Sequence, residues 1–193
     1  MEISWDALSA AVSACGRCRL SVSRTHAVLG EGSQRSGIMF VGEGPGRDED
    51  ATGRPFVGAA GRLLDRMIAA IGLNREDVYI ANIVKCRPPN NRVPLPEEAQ
   101  CCLPYLRAQF LLVRPKIIAC LGATAAKYVY DENVRITRDH GVFKSEKGVW
   151  IIPTFHPAAL LRNPEKKKDA CEDLQALRDK RAELIAAGEL KEL

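Results

Sequence analysis

Apolar positions along the chain fall into two kinds of run. Four are short and almost unbroken: Ile38-Met39-Phe40-Val41, residues 78–84, Ile117-Ile118-Ala119-Cys120-Leu121 and Val149-Trp150-Ile151-Ile152-Pro153. Unbroken apolar runs of this length fit strands buried on both faces of a sheet. The other kind recurs at helical spacing. Ala60, Leu63, Leu64, Met67, Ile68 and Ile71 mark a helix that Gly72 stops. Residues 6–12 predict a short first helix. Residues 97–113 predict another, which Pro104 either kinks or divides. A further helix follows Gly122 through residue 130, and a last one covers 165–185, with Ala170, Cys171, Leu174 and Leu177 inward. Strands alternating with helices predict a parallel sheet covered on both sides. In such sheets functional groups collect beyond the carboxyl ends of strands. Here those loops are 42–58, 85–96 and 154–164, and they carry the unusual residues.

Length and composition narrow the picture. The 193 residues suit one domain spanning the chain, and 46% apolar with 27% charged residues is an ordinary globular balance. No run of about 18 apolar residues predicts a membrane span. Met1-Glu2-Ile3-Ser4-Trp5-Asp6 lacks a basic segment followed by an apolar one, so the expected setting is the reducing cytoplasm, with no membrane partner. The net charge of +4 permits a nucleic-acid partner without requiring one. Its distribution says more: Arg162, Lys166, Lys167 and Lys168 cluster after a His-Pro step, and Lys85, Arg87 and Arg92 surround another candidate loop.

Seven cysteines in a reducing compartment point to metal binding or burial, not to disulfides. Cys15 and Cys18 form a C-x-x-C turn, Cys86 follows a strand, and Cys101 and Cys102 lie on the next helix. Four thiolates would suit zinc or a [4Fe–4S] cluster, and spacing does not separate them. Cys120 and Cys171 read as buried small apolar residues. Gly42-Glu43-Gly44-Pro45-Gly46 after a strand invites a dinucleotide reading, but Arg47 stands where the third glycine is needed, and no helix is expected to begin at once.

Three segments together resemble a known family. Gly42-Glu43-Gly44-Pro45-Gly46 with Gly53-Arg54-Pro55-Phe56-Val57-Gly58-Ala59-Ala60-Gly61 is similar to the first motif of the family 4, iron–sulfur uracil-DNA glycosylases. Asn82-Ile83-Val84-Lys85-Cys86-Arg87-Pro88-Pro89 with Asn91-Arg92 looks like the second. His156-Pro157-Ala158-Ala159-Leu160-Leu161-Arg162 looks like the third. The resemblance runs from about Cys15 to Arg178. It implies an α/β/α sandwich around a four-stranded parallel sheet. It also implies a [4Fe–4S] cluster on Cys15, Cys18, Cys86 and Cys102, with Cys101 a neighbour.

The implied substrate is uracil in single- or double-stranded DNA, the implied product an abasic site, and the expected state a monomer associated with a prokaryotic nucleoid. Uracil in a duplex must be flipped out of the stack. The resemblance makes Phe56 its stacking face. Asn82 would read its Watson–Crick edge, and His156 would donate to O2 as charge develops there. Gly42, Glu43, Gly44 and Glu49 would line the pocket. Glu43, Asp48 and Glu49 remain alternatives for orienting the attacking water, because a position that is acidic in some relatives is Arg47 here. Leu160, favoured over Leu161, would fill the vacated stack, while Arg162, Lys85, Arg87 and Arg92 would face phosphates. No lysine is placed for Schiff-base chemistry, so a monofunctional enzyme is expected. His26 and His140 read as surface or loop histidines. Rival readings are the same fold acting on hypoxanthine or mismatched thymine, a metal-stabilised DNA-binding module without catalysis, and a nucleotide-binding protein.

Overall fold

The computed structural model describes residues 4–192; Met1, Glu2, Ile3 and Leu193 lie outside them. The chain opens with helices α1 (Trp5–Ser13) and α2 (Leu20–Ser23) and a two-residue strand, β1 (Glu31–Gly32). Then come β2 (Ile38–Gly42), α3 (Arg47–Thr52), α4 (Ala59–Ala69), β3 (Tyr79–Asn82), α5 (Pro96–Val113), β4 (Ile117–Leu121) and α6 (Ala123–Val129). The last part holds α7 (Ile136–Asp139), β5 (Lys144–Glu146), β6 (Val149–Thr154), α8 (Pro157–Arg162) and α9 (Lys167–Ala186).

The strands form one sheet in the order β1-β3-β2-β4-β6-β5. The inner four are the four apolar runs, and they lie parallel. The expected four-stranded sheet is therefore a six-stranded mixed one, because β1 and β5 pair antiparallel at its two edges. Both edge strands are short and polar, so they show no apolar pattern to read.

Alternation along the inner strands sorts the core into two layers. Met39, Val41, Tyr79, Ala81, Ile118 and Cys120 face one side, with Ala99, Cys102 and Leu106 of α5 and Ala125 and Ala126 of α6. Ile38, Phe40, Ile80, Ile117, Ala119 and Leu121 face the other, with Leu64 and Ile68 of α4 and Leu174, Leu177 and Leu184 of α9. The result is an α/β/α sandwich. No helix among the described residues is long and apolar enough to cross a membrane.

Several expectations change. α5 runs unbroken through Pro104. The 42–58 loop contains α3, which begins at Arg47, so the absence of a helix start is not an argument against a dinucleotide site; the missing glycine still is. Residues 157–162, expected as part of the 154–164 loop, form α8. Cys171 is exposed on α9, not buried, because it falls one position off the inward stripe Ala170, Leu174 and Leu177. Cys120 is fully buried as expected.

Gly61 shows how tightly α4 approaches the site loop. A Cβ there would lie 1.8 Å from the carbonyl oxygen of Phe56. A Gly→Ala change inside a helix ordinarily stabilises by up to about 1 kcal/mol. Here the sign should reverse: Gly61→Ala is expected to destabilise by about 1–3 kcal/mol, as overpacked sites do, measured by denaturant unfolding. An unchanged or raised midpoint would show that the loop yields freely.

Candidate active site

The parallel register places Gly42 of β2 opposite Asn82 of β3. Beyond these strand ends, and those of β4 and β6, opens a cavity of about 780 Å³. Glu43, Gly44, Glu49, Phe56, Asn82 and His156 all line it, together with Arg87, Asn91, Arg92, Val93, Thr124 and Arg162. The three loops expected to converge do so.

Gly42 is not among the lining residues. It lies beneath the wall, where a Cβ would stand 2.5 Å from both Asn82 Oδ1 and Phe56 Cζ. Its missing side chain leaves room for both groups. Asn82 is buried at the end of β3, and its Oδ1 has no hydrogen-bond partner among the described residues. A buried amide oxygen left unpaired costs free energy unless a ligand satisfies it.

The rings of Phe56 and His156 stand 5.6 Å apart, tilted by 32°. His156 caps α8: its Nδ1 accepts the Ala158 N–H at 3.1 Å. An accepting Nδ1 leaves the proton of a neutral ring on Nε2. Burial above all, and then the positive charge of Arg162, push the imidazole down to about 4. The ring is therefore neutral at pH 7 and retains one N–H donor. Gly122 makes its approach possible, since a Cβ at this position would lie 2.8 Å from His156 Cβ.

The three acidic candidates occupy different settings. Glu49 is committed to the loop: Oε2 accepts the Gly46 N–H at 3.0 Å, and Oε1 accepts those of Val57 at 2.9 Å and Gly58 at 3.0 Å. Asp48 is largely exposed beside Arg47. Glu43 is half-buried in the cavity wall, with Oε2 accepting a hydrogen bond from the Thr124 hydroxyl. Thr124 was missed from sequence because it belongs to a fourth strand end, after β4, which carries no unusual residue.

Two expected DNA contacts change. Leu160 is 1% exposed and packs with Leu63, Phe155 and Ala170, whereas Leu161 is 42% exposed. Helical phase in α8 decides between the two, and a segment read as loop gave no phase to read. Lys85 is 1% exposed, so it faces no phosphate. Its ammonium donates to the Asn82 carbonyl at 2.8 Å and to Gln109 Oε1 at 2.6 Å, and burial lowers it to about 8. Arg162 is exposed. Arg87 is half-buried and donates to Asn91 Oδ1, and Arg92 forks onto Glu98 at 2.7 and 2.8 Å with a third of its side chain exposed. His26 is exposed in a loop, and half-buried His140 pairs with Asp173 at 2.8 Å.

A second hollow is lined by Cys15, Cys18, Cys86, Cys101 and Cys102, with Arg24, Lys85 and Tyr105. Among the described residues no group of three or more His, Cys, Asp or Glu is gathered for a single metal ion. The donors are all thiols. The Lys85 N–H donates to Cys102 Sγ at 3.2 Å, and the Arg24 guanidinium donates to Cys86 Sγ at 3.2 Å. Burial pushes the free Cys102 thiol up to about 11 and raises Cys86. N–H donors aimed at sulfur offset that burial and suit thiolates bound to an iron–sulfur centre.

A model of the uracil DNA glycosylase superfamily matches residues 29–178. The chain is 45% identical over 182 residues to the type-4 uracil-DNA glycosylase of Archaeoglobus fulgidus, covering 90% of this chain and 92% of that one. It is 48% identical over 174 residues to the type-4 enzyme of Thermotoga maritima, covering 88% and 91%. It is also similar to the type-5 uracil-DNA glycosylase of Pyrobaculum aerophilum, 32% identical over 146 residues, covering 67% and 64%.

The state of His156 can be tested directly. In the folded protein its ring NMR signals should stay flat through pH 6.5 and move only near pH 4. The unfolded chain takes up that proton near 6.5 while the folded one does not, so this group lowers stability as pH falls from about 6.5 to about 4. A titration centred near 6.5 in the folded state would show a solvated ring.

Proposed function

Because the chain belongs to the uracil-DNA glycosylase superfamily, we propose that it releases uracil from DNA by hydrolysing the N-glycosidic bond, leaving an abasic site. The observation that carries this reading is one cavity walled by an aromatic ring, an unpaired buried amide and a neutral imidazole.

The flipped base stacks on Phe56. Asn82 Oδ1 accepts from uracil N3–H while its amide nitrogen donates to O4. Cytosine offers an unprotonated N3 and an amino group at those positions and is refused. As the C1′–N1 bond breaks, negative charge gathers on O2, and the His156 Nε2–H is preorganised to meet it. Because burial keeps the ring neutral before reaction, that proton is already in place. Glu43, oriented by Thr124, is the carboxylate best set to hold the attacking water beside the cationic sugar. Glu49 instead shapes the wall.

Leu161, not Leu160, is the side chain available to enter the vacated stack. Arg162, Arg87 and the exposed part of Arg92 are the cations available to phosphates at the rim. The Lys85 ammonium faces Gln109 and a backbone carbonyl behind the wall, which supports hydrolysis without a Schiff-base step. The protein acts as a monomer on uracil-bearing single or double strands in a prokaryotic cytoplasm.

Cys15, Cys18, Cys86 and Cys102 would hold a [4Fe–4S] cluster, whose contribution when bound is a cross-link between the first helices and the segment leading into α5. Those thiols thereby fix Arg87 and Arg92 relative to the cavity.

Purified protein should release uracil from single-stranded and duplex oligonucleotides, read as alkali-labile breakage, and leave hypoxanthine and mismatched thymine untouched. Cleavage at either of the latter would broaden the substrate class, and DNA binding without any base release would favour the non-catalytic module. His156→Ala should lower kcat by roughly 10²–10³.

Cys86→Ala should reduce folded yield, iron content and DNA affinity together. Normal yield and affinity would remove the structural role of the cluster.

A further inference from the structure

Phe56 has φ 51°, in the left-handed region that bulky side chains avoid. Such a conformation persists only where surrounding structure over-determines it. Part of that determination is space: Gly42 clears the ring and Gly61 clears the carbonyl. Glu49 holds the next two N–H groups, those of Val57 and Gly58, and a further restraint comes from a residue outside every motif and outside the cavity wall. Arg75, in the turn between α4 and β3, donates from Nη1 to the Phe56 carbonyl at 3.1 Å and from Nη2 to the Pro55 carbonyl. Its own fork is anchored by Glu31 Oε1 at 3.1 Å and Asp65 Oδ1 at 2.9 Å. Glu31 also grips Arg54 at 2.7 and 2.8 Å. Residues 54, 55 and 56 are thus all tied to one ionic cluster behind the site.

We propose that Arg75 is a positioning residue for base excision, holding Phe56 in its left-handed conformation so that its ring presents a face to the everted base. The inference rests on the stacking role of Phe56. A guanidinium suits the task because its planar fork reaches two carbonyls and two carboxylates at once, which an ammonium does not. Without it, Phe56 relaxes toward ordinary backbone angles and its ring leaves the neighbourhood of His156.

The test is a double-mutant cycle on the full protein, reading kcat/KM on a uracil oligonucleotide and affinity for uracil-free duplex. Arg75→Met should lower kcat/KM by about tenfold or more, as small misplacements at a reacting site do, with uracil-free DNA affinity unchanged. In a Phe56→Ala background the same change should cost less than about twofold, because its means of action is already gone. Glu31→Gln, a milder loosening of the same cluster, should show a smaller loss coupled to Phe56 in the same way, and it serves if Arg75→Met does not fold. Equal losses in both backgrounds, or full activity in Arg75→Met, overturn the proposal. Full activity in Phe56→Ala instead overturns the stacking role on which it rests.

Discussion

A parallel ladder sets Gly42 directly across from Asn82, and the missing side chain at Gly42 is the constraint on which the site depends. Any Cβ there would collide with both the Asn82 amide and the Phe56 ring. The same economy recurs at Gly61 beneath the Phe56 backbone and at Gly122 beside His156. In each case backbone stands where a side chain would exclude a functional group. These glycines serve close approach, which is why a search for phosphate-cradling glycine patterns misreads them.

The polar groups around the cavity divide into those already satisfied and those left waiting. Glu49 spends both oxygens on three backbone amides, and Arg92 spends its fork on Glu98. Lys85 is absorbed into a buried network with Gln109, which itself donates to Tyr79 and to the Leu29 carbonyl. Against this background the Asn82 oxygen stands out, buried and without a hydrogen-bond partner among the described residues, near a His156 ring that engages its Nδ1 in the Ala158 cap.

The inner strands were legible because they are buried on both faces and leave unbroken apolar runs. The three motif loops were legible because a parallel arrangement of the inner strands places their carboxyl ends on one side. Several misreadings originate in elements too short or too polar to impose a period. β1 and β5 have none, and α8 is six residues long, so Leu160 and Leu161 could not be assigned to opposite faces. Lys85 looked exposed because a lysine in a basic segment usually is; nothing local to it announces a partner 24 residues away on α5. Arg75 was invisible for the same reason, since its partners come from a strand edge, a helix and the strained loop itself.

His156 closes the first turn of α8, a helix only about 9 Å long, and the far end of that helix carries Leu161 and Arg162. The imidazole and the exposed Leu161–Arg162 end are therefore mounted on one short rod, pinned between them by buried Leu160. Whatever meets Leu161 and Arg162 at the rim therefore stands at a spacing from the imidazole that the rod fixes in advance, so the fold and not the bound molecule sets that distance.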